Sequence, residues 1–166
     1  MVDFTASNEK VVPTIKLNSG YEMPQIGLGL FLSKEGNLKD LITHAVLKEG
    51  YRHIDGAMVY ENEEEVGEAL EAVFEAGFKR EDLFITGKLW HKEKNDVEAA
   101  VDACLKRLGL EYLDLYLIHW MRADWDPETF EIKSPPHYLV WKNMEEMVKK
   151  GKTKSIGVSN CTIPML

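Results

Sequence analysis

The stretch from residue 83 to residue 119 decides the fold. It opens with Leu83-Phe-Ile-Thr-Gly-Lys88, continues through Val97-Glu-Ala-Ala-Val-Asp-Ala-Cys-Leu-Lys-Arg-Leu108, and closes with Leu113-Asp-Leu-Tyr-Leu-Ile-His119. The outer segments are short and mostly apolar, the pattern of strands covered on both faces. The middle segment is an amphipathic helix, with Asp96 suited to cap its start and Gly109 to stop it. A strand, a helix and a strand in this order predict a parallel pair joined by a right-handed crossover.

The same unit recurs outward in both directions. Upstream lie a strand over Tyr51–Ala57 and a helix over Glu64–Ala76, whose Val66, Leu70, Val73 and Phe74 form one stripe ended by Gly77. Before them come an apolar run, Ile26–Phe31, and a helix, Leu38–Lys48, with Leu38, Leu41, Ile42, Ala45 and Val46 at helical spacing. Thr14–Leu17 and Met23–Ile26 flank Asn18-Ser-Gly20 and read as a β-hairpin. Downstream, a helix over Tyr138–Lys150 and a strand over Ser155–Val158 complete the pattern, after an irregular segment, Trp120–His137, long enough to be a binding loop. The expected fold is α/β, one domain over residues 1–166, with a hairpin followed by five parallel strands.

Composition excludes several functions. Across 166 residues, Lys and Arg number 20 against 28 Asp and Glu, a net charge of −8. Such a chain has no general attraction for nucleic acid or a membrane surface, and any phosphate must be held locally. Two cysteines, Cys104 and Cys161, build neither a disulfide framework nor a metal cluster, and no metal is expected. The first ten residues lack the pattern of a signal peptide, and no apolar run approaches membrane-spanning length. The expected location is cytoplasmic. Gly27-Leu-Gly29 begins a dinucleotide fingerprint, but Leu32 stands where its third Gly belongs. The run Glu61, Glu63, Glu64 and Glu65 reads as a solvated helix start.

The polar residues at the strand ends carry more. Asp55, Lys88, His119 and Ser159 are 33, 31 and 40 residues apart, each about one βα unit, and Asn160 follows. They should therefore converge on one rim, where parallel sheets and barrels hold ligands and chemistry. Tyr60 lies five residues beyond Asp55. A phenol beside an ammonium ion gives up its proton more readily, so Tyr60 is a candidate proton donor.

Gly50-Tyr-Arg-His-Ile-Asp-Gly-Ala57, Tyr60-Glu-Asn-Glu63 and Val66-Gly67 closely resemble the signature of the aldo-keto reductase family. Ile85-Thr-Gly-Lys-Leu-Trp90, Leu113-Asp-Leu-Tyr-Leu-Ile-His-Trp120 and Ile156-Gly-Val-Ser-Asn160 do so too, in the family's order and nearest its aldose and aldehyde reductase branch. The resemblance implies a (β/α)8 TIM-type barrel that reduces aldehydes or ketones with NADPH. It makes Tyr60 the general acid, Lys88 the residue that acidifies it, Asp55 the partner of Lys88, and His119 the group that orients a small carbonyl substrate. Asp55, Ser159 and Asn160 match cofactor-binding positions, and Phe31, Trp90 and Trp120 match aromatic pocket walls beside His119. Three positions depart from the family's usual residues: Gly56 for Thr, Gly87 for Ser, and Leu30 for a Thr that contacts cofactor. Those missing hydroxyls are expected to weaken cofactor positioning.

A full barrel of this kind takes about 250 residues, so the reading is of about five of eight βα units, the N-terminal portion. Five strands cannot close a barrel, so two sheet edges are expected to pair between chains. The alternative function is a non-catalytic half-barrel, a scaffold or partner-binding module, told from an enzyme by whether NADPH binds. A different parallel α/β enzyme using a carboxylate and a histidine would explain the rim but not Tyr60.

Overall fold

The computed structural model describes residues 12–33, 36–123, 128–129 and 131–166. The first ten residues, and residues 124–127 and 130 of the Trp120–His137 segment, fall outside them.

A hairpin comes first: β1 (Thr14–Lys16) pairs antiparallel with β2 (Glu22–Pro24). Five strands then pair in parallel and in strict chain order: β3 (Leu28–Gly29), β4 (His53–Asp55), β5 (Phe84–Leu89), β6 (Leu113–Ile118) and β7 (Thr153–Val158). The crossovers carry α1 (Leu38–Leu47), α2 (Glu63–Glu75), α3 (Val97–Leu108) and α4 (His137–Lys149). A doubly wound sheet reverses its strand order midway. This one does not, and successive helices pack on one another as a single layer. That is the wall of a barrel-type fold.

The core fills the space between sheet and helices, where Ile54, Ile85, Leu89, Tyr116 and Ile118 meet Ile42, Leu70, Val101, Cys104 and Met144. All six residues of β5 are buried, the polar Thr86 and Lys88 among them. Asp96 caps α3 by accepting a hydrogen bond from the Ala99 N–H (3.0 Å), and Gly109 ends it in the left-handed conformation at φ 66°. The α1 stripe is narrower than expected: Leu38, Ile42, Ala45 and Val46 are buried, but Leu41 faces solvent. A Cβ on Gly67 would stand 2.6 Å from the Arg107 carbonyl oxygen, so α2 meets α3 through bare backbone.

The acidic start of α2 departs from the solvated reading. Glu63 is buried, accepts hydrogen bonds from Arg107 Nε (2.7 Å) and Cys104 Sγ (3.1 Å), and so joins α2 to α3. Glu65 accepts from the backbone N–H groups of Gly36 and Leu38 and caps α1 instead. Only Glu61 and Glu64 of the run are exposed. The hairpin sits at the other end of the sheet, where Ser19 and Ser155 share a hydrogen bond between their hydroxyls (2.5 Å).

Candidate active site

The strand ladder continues past the C-terminal strand ends and fixes the rim. Leu30 N–H donates to Asp55, Gly56 to Thr86, His119 to Leu89 and Ser159 to Ile118, all within 3.0 Å. Asp55, His119 and Ser159 therefore stand at one end of one sheet, as their spacing predicts. Lys88 sits one residue inside the end of β5, and its register partner Leu117 shows that it points to the face away from the helices.

Tyr60 reaches this rim through an element too short to read from sequence, a single 3-10 turn over Met58–Tyr60. Glu61 ends the turn with φ 56°, and the buried Asn62 donates from Nδ2 to the Leu30 carbonyl (3.1 Å), tying the turn to the end of β3. The Tyr60 ring then packs at 5.2 Å from Phe31 and edge-on at 5.7 Å from His119, whose other flank meets Trp90 at 5.3 Å.

The centre of the site is the ammonium of Lys88, which is 6% exposed. It donates to Asp55 Oδ1 (2.5 Å), to the Gly56 carbonyl (2.9 Å) and to the Tyr60 hydroxyl oxygen (3.2 Å). An ammonium has three hydrogens and no acceptor, so all three are committed. The phenol oxygen accepts a hydrogen bond from Lys88, so its own O–H does not point along that contact. Its O–H is left for something else. The buried charge is balanced by one carboxylate, as burial requires.

Burial, and then the positive charge of Lys88, push the pKa of His119 down to about 4, with Asp55 opposing. The imidazole is therefore neutral near pH 7. Its Nδ1 is buried without a hydrogen-bond partner.

Ser159 and Asn160 close the rim. Asn160, at φ 50°, spends its Nδ2 on the His119 carbonyl (2.9 Å) and on Ser159 Oγ (3.1 Å). Asn160 Oδ1 is left as an acceptor and the Ser159 hydroxyl hydrogen as a donor. One acceptor beside one donor complements a primary carboxamide such as that of a nicotinamide, so this donor set fits that end of the cofactor. Trp120 follows His119 and is half-exposed.

Two of the three departures change meaning. Leu30 is fully buried in the core, and a Cβ at Gly87 would meet Leu113, Cys104 and Tyr116 on the helix side of β5. Neither side chain faces the rim, so hydroxyls there would not reach a ligand held at it. At Gly56 an added Cβ meets only the Thr86 carbonyl oxygen, at 3.7 Å.

Comparison with known proteins identifies the family. The model of the Aldo/keto reductase family matches residues 25–165, and the chain belongs to that family. It is 42% identical to a glycerol 2-dehydrogenase (NADP(+)) of Saccharomyces cerevisiae, over 90% of this chain and 52% of that protein. Among solved structures, it is similar to the aldose reductase of Schistosoma japonicum, with TM-score 0.83 and 41% identity over 93% of this chain and 55% of that one. An aldo-keto reductase of Bombyx mori in complex with NADP superposes with TM-score 0.79 at 35% identity, over 89% and 50% of the two chains. The chain thus spans about half the length of the relatives it matches.

Proposed function

We propose that this chain carries the proton-transfer centre of an NADPH-dependent reduction of small aldehydes or ketones, with Tyr60 as general acid. The observation that carries the reading is the threefold commitment of Lys88, which leaves the Tyr60 hydroxyl hydrogen as the one proton in the cluster not already shared. The chemistry that a bound NADPH supplies is a hydride for the carbonyl carbon. As negative charge grows on the carbonyl oxygen, Tyr60 hands over its proton, and the ammonium behind it stabilises the phenolate left. Asp55 keeps that ammonium in place. Neutral His119 offers a substrate oxygen a donor without a competing charge, and Phe31, Trp90 and Trp120 would supply apolar surface beside it. Ser159 and Asn160 would hold the nicotinamide carboxamide, and Asp55 is the other position the family resemblance assigns to the cofactor.

The experiment is aldehyde-dependent oxidation of NADPH by the 166-residue chain, beside Tyr60→Phe. General acids contribute about 10²–10⁴-fold, so kcat should fall by that order while NADPH affinity stays. Equal turnover in the Phe variant would remove Tyr60 from the chemistry.

A further inference from the structure

Lys94 is 1% exposed, among the most deeply buried large side chains of the molecule. Lysine is almost never buried this completely without dedicated partners. Its Nζ donates to the carbonyl oxygens of Trp120 (2.9 Å) and Arg122 (2.7 Å). Both belong to the loop after β6. Lys94 itself ends the turn after β5, and that turn is stiffened where Glu93 Oε2 accepts from the Trp90 N–H (3.0 Å). The two loops so joined carry Trp90 and Trp120. Backbone carbonyls accept this bond whatever side chains the loop bears, so the fastening fixes the course of the chain rather than one rotamer.

We propose that Lys94 is the positioning residue of the substrate wall: it latches the loop after β6 to the turn after β5 and thereby fixes the backbone that carries Trp120 beside the turn that carries Trp90, without touching substrate. The inference rests on reading the rim as a carbonyl-reducing site, but the latch can be tested apart from catalysis. Lys94→Met keeps the chain length and removes the charge and the donors. In the 166-residue chain, hydrogen exchange at residues 120–123 should quicken by about tenfold or more, the scale of a lost charge-assisted hydrogen bond. Amides of β5 and β6 should stay within about twofold, as a local opening requires. With a bulky aromatic aldehyde, KM should rise by a similar factor while kcat holds, the signature of lost ground-state binding.

Unchanged exchange at residues 120–123, or equal quickening across the sheet, overturns the latch. If exchange responds and no reduction is seen in either protein, the latch stands and the reading of the rim fails. If reduction proceeds and exchange does not respond, the reverse holds. Should Lys94→Met not fold, acetylation of the unaltered chain decides: Lys94 should be modified no faster than residues 120–123 exchange. Labelling as fast as the exposed Lys39 would overturn the proposal.

Discussion

A carboxylate in an ion pair sits at each end of the sheet, Asp114 buried and Asp55 partly exposed, and their hydrogen bonds lead to different places. At the N-terminal end Asp114 accepts from Arg80 Nη2 (2.7 Å), the Ile85 N–H (2.9 Å) and Lys154 Nζ (3.1 Å). Every contact returns to the protein, and the cluster clamps β5, β6 and β7 together. At the C-terminal end Asp55 meets one cation, and the chain of bonds runs on through Lys88 to Tyr60, where it ends in an unspent proton. A closed network of charges is a brace. A network that stops at a donor facing the rim keeps one hydrogen for whatever binds there. Charge and burial alone do not tell them apart; the last hydrogen does.

Removing one member from each cluster should separate the roles. Lys88→Met should cost activity on the same order as loss of the general acid, about 10²-fold or more, with a modest fall in stability because Asp55 is a third exposed and water can take over. Asp114→Ala should do the opposite. It strands Arg80 and Lys154 and leaves the Ile85 N–H unmet, so unfolding free energy should drop by about 3 kcal/mol or more, with kcat per folded molecule unchanged. Chemical denaturation beside initial rates checks both, and a large activity loss in the Asp114 variant would break the distinction.

The pH dependence sharpens it next. The folded-state pKa of His119 is about 4 against an ordinary 6.5, so between those values the unfolded chain takes up a proton that the folded one refuses. This stability is complete above pH 6.5 and drains away as pH falls to about 4. His53 and His137 are lowered in the same direction by burial and add to the trend. His119→Gln should flatten the fall in melting temperature over that window. The smallest effect belongs to Glu98 on the surface, whose bonds to Lys150 and Lys152 hold its pKa at about 2 rather than 4.5. Its contribution is complete above pH 4.5 and is lost toward pH 2. Glu98→Gln should therefore change only the acid limb of a stability curve, slightly, and not at all in high salt.

The sequence showed the strand ends well because their signal is repeated. Apolar runs such as Leu113–Ile118 and stops such as Gly109 each depend on a few neighbouring residues, and the interval of one βα unit brings Asp55, Lys88 and His119 to one rim. What stayed hidden depends on a distant partner. Glu63 looks like any solvated helix-start acid until Arg107 and Cys104 arrive from α3. The turn that delivers Tyr60 is held by Asn62 on the Leu30 carbonyl, a contact with no local pattern. Lys94 lies in a run of charges, His91-Lys-Glu-Lys94, and nothing in that run marks which member turns inward.

The three acceptors around Lys88 have one more consequence, for self-protection. An aldehyde that reaches Tyr60 comes within reach of a primary amine, and amines condense with aldehydes to imines. Condensation needs a lone pair on nitrogen. With Asp55, the Gly56 carbonyl and the Tyr60 oxygen each holding one hydrogen, the nitrogen of Lys88 has none to offer. The hydrogen bonds that hold the Lys88 ammonium against the phenol would thus also keep that amine from being consumed by an aldehyde held at the rim.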